Sequence, residues 1–246
     1  MFPIRDHNPS GGTPYVTMAL IAANVLVFLG YYTTLDGWPL MRFFVQWGLV
    51  PLRVTHGEGY PTLVTHMFLH GGWMHLIGNM LFLWIFGDNL EEAMGRIGFL
   101  LFYLGSGLAA AALQIAADPL SGAPMVGASG AVAGVMGGYL LLYPKARVDV
   151  LLFFVIFFRV FVLRAWIVLG LWFGLQLVSG VSTPTEGGGV AYWAHIGGFL
   201  AGLVLVLPVW LRRGGSGYWQ RTHGEPPHPE ARYPLAKTGI PRVRRR

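Results

Sequence analysis

The sequence predicts an all-α polytopic membrane protein built from six transmembrane helices. Hydrophobic residues make up 54% of the chain and charged residues 11%, whereas soluble domains carry about 25% charged residues. The mean hydropathy is +0.54. A transmembrane helix needs roughly 20 mainly apolar residues, and six segments reach or approach that length. They are residues 15–35, 73–90, 97–117, 127–143, 165–181 and 191–211.

Prolines mark several ends of these segments. Pro14 stands at the start of the first one, where its missing N–H costs least. Asp118-Pro119 ends the third segment, and Tyr143-Pro144 ends the fourth. The apolar residues between these points are therefore expected to form separate helices.

One further apolar stretch, residues 148–164, is not counted as a span. Its first apolar run of about eleven residues is too short to cross the bilayer as a helix. We expect an interfacial or cytoplasmic segment that is held by Arg159 and Arg164.

The basic residues predict the orientation, because cytoplasmic loops carry an excess of lysine and arginine. With six spans, the basic residues next to the apolar segments fall mainly on one side: Arg5, Arg96, Lys145, Arg147, Arg159, Arg164, Arg212 and Arg213. We therefore expect a multi-pass protein of a bacterial inner membrane with both termini in the cytoplasm.

The chain divides into three regions. Residues 1–14 form a polar cytoplasmic tail without the apolar core of a cleavable signal peptide. Residues 15–212 form a single membrane domain, in which the long first loop at 36–72 is aromatic and partly embedded in the outer leaflet. Residues 213–246 are basic, contain five prolines and are predicted to be disordered. Their charge suits anionic lipid, and the net charge of +6 does not by itself indicate nucleic acid.

A serine and a histidine stand at the heads of two apolar segments. Ser129 lies in Gly127-Ala128-Ser129-Gly130, and His195 follows Ala194. Glycine allows a tight turn and the close approach of another backbone, and an ionisable residue at membrane depth marks function by default. With six spans, both residues lie near the outer face and could form a nucleophile–base pair. A serine that bonds a backbone carbonyl in a glycine-rich helix is the simpler alternative.

Glycines at a spacing of four predict that the serine and histidine helices touch. Such small-xxx-small patterns let transmembrane helices approach closely. Gly130, Gly134 and Gly138 follow the serine, while Gly198 and Gly202 share a helix face with His195.

A histidine cluster precedes and enters the second segment. His75 and Asn79 are four residues apart and share a helix face. Beside Ser129, they could donate to the oxyanion of a tetrahedral intermediate together with the Ser129 backbone N–H. His66 and His70 are also four apart. They could bind metal, or they could fasten the first loop to the second segment.

Taken together, these residues resemble the rhomboid family of intramembrane serine proteases, over about residues 15–211. The family pattern is His-x-x-x-Asn on the second helix, Gly-x-Ser-Gly at the head of the fourth, and Ala-His-x-x-Gly-x-x-x-Gly on the sixth. This chain has His75 and Asn79, Gly127 to Gly130, and Ala194, His195, Gly198 and Gly202. His66, His70 and the run from Glu91 to Arg96 also match.

The resemblance implies that the chain cleaves transmembrane segments of single-span proteins near the outer face. Ser129 would be the nucleophile, His195 the general base, and His75 with Asn79 the oxyanion donors. A dyad without an orienting acid is implied, with no cofactor and no metal. Residues expected to support the site are Gly127, Gly130, His66, His70, Gly198 and Gly202.

The chain departs from the family pattern at three places. A Trp-Arg pair of the first loop is Tyr60-Pro61, and the arginine expected after the second helix is Ala93. The aromatic residue often found four after the serine, which packs on the histidine ring, is Ala133. The first two departures concern loop stability, and the third concerns the orientation of His195.

Three alternatives remain open at this point. The chain could be an inactive rhomboid-like protein that binds transmembrane helices, although such proteins usually lack the serine or the histidine. It could be a membrane di-iron oxidoreductase, but the chain has one HxxxH box, and His7, His223 and His228 lie in the terminal regions. A transporter is the third alternative, although no second inverted half is visible.

Overall fold

The computed structural model describes residues 2–154, 157–182 and 190–227. It contains ten helices and three strands in these ranges, and a 3-10 turn at His66–Phe68. In chain order the elements are β1 (Phe2–Asp6), α1 (Tyr15–Tyr32), α2 (Gly37–Trp47), α3 (Pro51–Thr55), α4 (Thr62–Thr65), α5 (Trp73–Met94), α6 (Arg96–Ala117), α7 (Ser129–Leu142), β2 (Arg147–Phe154), β3 (Phe157–Arg164), α8 (Ala165–Ser182), α9 (Tyr192–Arg212) and α10 (Ser216–Thr222).

All six predicted segments are helices, namely α1 and α5 to α9. Four of these, α1, α6, α8 and α9, are long and apolar enough to cross a membrane. Helix α5 has 22 residues and carries Glu91 and Glu92 near its end, and α7 has only 14 residues. The predicted fold, a polytopic helical membrane protein, is confirmed.

Helix α7 lies at the centre of the bundle, and nearly all of its side chains are buried. Its glycines contact α9 backbone to backbone. A Cβ added at Gly198 would overlap the Gly130 carbonyl, and one added at Gly202 would overlap the Gly134 carbonyl. The close approach of these two helices agrees with the prediction from the glycine spacing.

The third glycine of the predicted stripe faces a different helix. A Cβ at Gly138 would lie 2.9 Å from the ring of Phe102 on α6, whereas Gly137 lies against the Phe199 carbonyl on α9. The reason is geometric. Each step of four residues turns about 40° around an α-helix of 3.6 residues per turn, so two steps move the stripe away from α9.

The stretch at 148–164 is a β-hairpin rather than a helix. Strands β2 and β3 pair antiparallel, with Val150 opposite Phe161, and β1 pairs with β2 to give the order β1-β2-β3. The prediction that this stretch does not span the membrane agrees with the hairpin, but the sheet itself was not expected. The expected N-terminal tail therefore contains a strand.

Polar contacts fix β1 to the rest of the protein. Arg5 and His7 both bind the Asp149 carboxylate on β2. Asp6 accepts a hydrogen bond of 2.7 Å from the Tyr139 hydroxyl on α7 and one of 3.2 Å from the Asn89 amide on α5. The sheet is thus attached to the ends of two central helices.

The prediction of disorder after residue 213 is wrong for part of that region. Residues Ser216–Thr222 form α10, in which Tyr218 is buried. Trp219 donates a hydrogen bond of 2.9 Å to the Leu141 carbonyl at the end of α7. Residues 228–246, including the terminal arginine run, lie outside the described residues.

The first loop is folded into short helices, and α2 exposes a broad apolar surface. Trp38 is 81% exposed, and Met41, Val45 and Trp47 are also exposed. Such a surface suits the bilayer interface, where tryptophan is enriched.

The structure shows the contacts near the two loop departures. The Arg53 guanidinium donates a hydrogen bond of 2.7 Å to the Val45 carbonyl and lies against Gly59, next to Tyr60-Pro61. Two residues before Ala93, the buried Glu91 carboxylate accepts hydrogen bonds from the Val16 and Thr17 N–H groups at the start of α1. A carboxylate is favourable there because a helix N-terminus carries partial positive charge.

The contact between α7 and α9 predicts a large cost for a small change. We expect Gly202→Ala to lower the stability by about 1–3 kcal/mol, because the new methyl group overlaps a carbonyl that cannot move independently of its helix. Gly170→Ala is the matched control, since a Cβ there meets nothing within 4 Å. The measurement is the thermal unfolding midpoint in detergent, and equal midpoints for the two variants would contradict the prediction.

Asp6 predicts a pH dependence of stability. Burial raises the pKa of Asp6 to about 8, with a hydrogen bond from Tyr139 opposing this rise and the charge of Asp88 adding to it. The folded state therefore binds the proton more tightly than the unfolded state does. The stabilisation is complete below about pH 4 and is lost as the pH rises towards 8.

We expect Asp6→Asn to flatten the fall of the unfolding midpoint between pH 5 and pH 8, because an amide cannot ionise. Asp36→Asn, at an exposed position before α2, is the control and should keep the wild-type slope. Parallel slopes for Asp6→Asn and wild type would show that Asp6 does not cause the dependence.

Candidate active site

A cavity of about 700 Å³ opens at the end of the bundle where α5, α7 and α9 begin. Its lining includes His75 and Asn79 of α5, Ser129 of α7 and His195 of α9. The four residues predicted to do the chemistry therefore meet in one cavity, although they come from three helices. The volume lies within the usual range of ligand pockets, about 300–1,000 Å³.

Ser129 is the first residue of α7, which is a short helix. Fourteen residues span about 21 Å, whereas the hydrocarbon core of a bilayer is about 30 Å thick. The opposite end of α7 adjoins the sheet, where Arg5 pairs with Asp149.

The loop before Ser129 is held by the first loop. Met125 and Leu49 exchange two backbone hydrogen bonds, of 2.7 and 2.9 Å, and the Gly127 N–H donates to the His66 carbonyl at 2.9 Å. These bonds provide backbone partners for the segment that leads into α7, and unpaired backbone groups are costly in a membrane.

Gly127 is required by its conformation and by its neighbour. Its φ is +136°, a value that other residues rarely adopt. A Cβ at this position would lie 2.8 Å from the Cε1 and Nε2 atoms of His75 and 3.4 Å from the Ser129 Oγ. The imidazole of His75 therefore lies directly against the turn that carries the serine.

His75 and Asn79 form the α5 wall of the cavity. Asn79 is buried, and its Nδ2 donates a hydrogen bond of 3.0 Å to the His75 carbonyl one turn earlier. The amide has a second N–H that this bond does not use. Together with the free N–H groups of the first turn of α7, these donors could stabilise negative charge beside Ser129.

His195 is held from α8, by residues that were not predicted as part of the site. Its Nδ1 lies 2.8 Å from the Gln176 Oε1, and its ring centroid lies 5.8 Å from that of Trp172. Among the described residues, no hydrogen bond joins His195 to Ser129 in this structure. The side chain at position 133, an alanine, is fully buried, and an aromatic contact to the imidazole comes from Trp172.

The other two histidines connect the first loop to the site. The His66 Nδ1 pairs with the Thr62 carbonyl at 2.7 Å. The fully buried His70 packs its ring edge-to-face on His75, with centroids 5.1 Å apart, and its backbone binds the Tyr31 hydroxyl. Within the described ranges, no group of three potential metal ligands among His, Cys, Asp and Glu was found.

Two glutamines that bind the histidine helix α9 were missed at the level of sequence. Gln176 is the one amide side chain in the apolar helix α8, and Gln114 near the end of α6 accepts a hydrogen bond of 3.2 Å from the Ala194 N–H. The available signal was polarity, because polar side chains inside a membrane usually face the protein interior and mark function.

Comparison with known proteins identifies the family of this arrangement. A rhomboid domain matches residues 57–212, which is more than half of the chain. The chain belongs to the rhomboid family. The resemblance drawn from its motifs is therefore confirmed.

Several curated proteins are similar to this rhomboid protein. Rhomboid-like protein 11, chloroplastic, of Arabidopsis thaliana is 32% identical over 74% of this chain and 62% of its own length. Rhomboid protease GluP of Bacillus subtilis is 35% identical over 80% of this chain and 36% of its own length. Rhomboid protein 1, mitochondrial, of Saccharomyces cerevisiae is 31% identical over 55% and 38%. The alignments thus span between about one third and two thirds of these relatives.

Proposed function

We propose that this protein is an intramembrane serine endopeptidase that cleaves transmembrane segments of single-span membrane proteins near the outer face. Family membership supports a protease or an inactive relative. The observation that favours a protease is the meeting of Ser129, His195, His75 and Asn79 in one cavity. An inactive relative has no need to keep a nucleophile, a base and two oxyanion donors together.

The proposed reaction is acyl transfer through a Ser129–His195 dyad. The neutral His195 takes the Ser129 proton with its Nε2 while Oγ attacks the peptide carbonyl, and the same proton then passes to the leaving amine. Water next attacks the acyl-enzyme, with His195 again as the base, and the serine is released. A positioned general base typically contributes about 10²–10⁴ in rate.

The negative oxygen of each tetrahedral intermediate would be stabilised from two sides. Asn79 and His75 donate from α5, and the Ser129 N–H donates at the N-terminus of α7, which carries partial positive charge. His75 has to be protonated at its Nε2 for this role, because that atom lies against the serine turn.

The substrate would be a transmembrane helix that unwinds locally. A helical carbonyl is hydrogen-bonded to its own backbone, so a scissile bond becomes accessible only where the helix opens. The cavity of about 700 Å³ can hold such a short extended stretch together with water. Helix-weakening residues near the cleavage site should therefore favour cleavage.

We also propose the orientation and the lipid contact of the chain. Both termini are cytoplasmic in a bacterial inner membrane, the domain comprises residues 15–212, and the basic residues after 213 contact anionic lipid. The supporting observation is the position of Arg5, Arg147 and Arg164 on the sheet, at the end of α7 remote from Ser129.

Ser129→Ala should abolish both cleavage of a single-span substrate and labelling by a fluorophosphonate, because the nucleophilic oxygen is removed. Ser106→Ala is the matched control, since Ser106 is a buried serine that packs against Gly134 and does not line the cavity. Purified protein in detergent is sufficient for both measurements. If Ser129→Ala is still labelled, the serine assignment is wrong.

Asn79→Ala should lower kcat by about 10²–10³ while KM changes little, because the lost hydrogen bond forms mainly in the transition state. Initial rates across substrate concentrations separate the two constants. A change in KM alone would assign Asn79 to substrate binding rather than to the oxyanion site.

An inactive helix-binding protein and a metal-dependent oxidoreductase can both be distinguished from a protease with the same purified protein. An inactive helix-binding relative would capture a single-span protein with equal affinity as wild type and as Ser129→Ala, and neither would cleave it. A metal-dependent oxidoreductase would carry stoichiometric metal in the purified protein and would lose its activity on treatment with a chelator. The proposed protease should be insensitive to the chelator.

A further inference from the structure

We propose that Gln176 is a positioning residue that sets the tautomer of His195 and holds its ring for proton transfer. The inference rests on the proposed function, since it assigns His195 the role of base. It adds a fifth side chain, from a fourth helix, to the four that α5, α7 and α9 contribute.

The geometry of α8 carries the inference. The Gln176 Oε1 lies 2.8 Å from the His195 Nδ1. Trp172, one helical turn earlier and therefore on the same face of α8, lies with its ring 5.8 Å from the imidazole at an interplanar angle of 36°. Gln176 thus contacts the imidazole at its Nδ1, and the indole ring of Trp172 lies beside it.

An amide oxygen has lone pairs and no hydrogen, so it can only accept a hydrogen bond. Its contact with Nδ1 is therefore favourable only when Nδ1 carries the proton. A neutral imidazole has a single N–H. The nitrogen that bears it is the one whose neighbour accepts a hydrogen bond. Gln176 thus leaves the Nε2 lone pair free to accept the Ser129 proton.

The same bond persists when His195 becomes charged. Both ring nitrogens of an imidazolium are donors, so Nδ1–H continues to donate to Gln176 while Nε2 holds the proton taken from the serine. In the Ser-His-Asp triad, an aspartate performs both of these tasks. Here the group is neutral, and a neutral group avoids the cost of placing a carboxylate at membrane depth.

The location of Gln176 supports a specific role rather than a chance contact. Helix α8 is the least buried of the four long apolar helices, because only 22% of its residues are buried inside the protein. Gln176 is its one amide side chain, and it is half-buried against His195. The titratable group that interacts with His195 from another element is His75 on α5, so pH profiles must be compared with those of a His75 variant.

The decisive measurement is the tautomer itself. In full-length protein labelled with ¹⁵N-histidine, the signals of His195 are assigned by their loss in His195→Ala. We expect the Nδ1–H tautomer in the wild type at a pH where the ring is neutral. An Nε2–H signal would overturn the proposal, and this measurement needs neither a Gln176 variant nor any catalytic activity.

Gln176→Met removes the acceptor but keeps a side chain of similar length. We expect a mixture of tautomers and a kcat lowered by about 10- to 100-fold, since part of the general-base contribution is lost, with KM nearly unchanged. Leu177→Met is the matched control, because it introduces the same side chain at a neighbouring exposed position on α8. It should keep the wild-type tautomer and the wild-type rate.

Gln176→Glu restores an acceptor oxygen and should bring back the Nδ1–H tautomer and most of the rate. A carboxylate there would also shift the acidic limb of the pH profile of kcat, an effect that His75→Ala should not reproduce.

Two outcomes would show that Gln176 has no positioning role. One is that Gln176→Met matches Leu177→Met in tautomer and in rate, and the other is that Gln176→Glu is no better than Gln176→Met. If the wild type shows Nδ1–H but Ser129→Ala still cleaves substrate, the proposed function fails while the assignment of the hydrogen bond stands.

Discussion

The backbone contact between α7 and α9 is the constraint on which the rest of the structure depends. Gly198 and Gly202 lie against the carbonyls of Gly130 and Gly134, so that the two helices approach at a distance that no larger residue permits. Ser129 precedes Gly130 by one residue and His195 precedes Gly198 by three, so both stand at the same end of this contact. Because lipid supplies no hydrophobic force between helices, such close contact has to come from backbone surfaces that fit each other.

The surrounding hydrocarbon explains how polar groups are distributed. Charges are concentrated at the sheet end, where Arg5 and His7 pair with Asp149. The side chains that line the cavity instead include imidazoles, amides and hydroxyls, which are all neutral when the histidines are unprotonated. Neutral donors and acceptors can be satisfied by one or two hydrogen bonds each, whereas an unpaired charge at that depth would be far more costly.

The three departures from the family pattern lie near contacts that this structure shows. Ala133 cannot stack on His195, and α8 supplies an aromatic contact through Trp172. Arg53 lies in the first loop beside Tyr60-Pro61, and Glu91 binds the start of α1 although Ala93 lacks the arginine side chain.

The sequence by itself predicted the six helices, the family and four residues that line the cavity, because hydrophobic length, glycine spacing and the motifs around His75, Ser129 and His195 are local patterns. It did not determine the sheet, since β1 and β2 are separated by about 140 residues and β1 alone is too short to predict. It also did not determine the partner of His195. Whether Gln176 faces lipid or the imidazole depends on how α8 is rotated against α9, and only the tertiary structure decides that rotation.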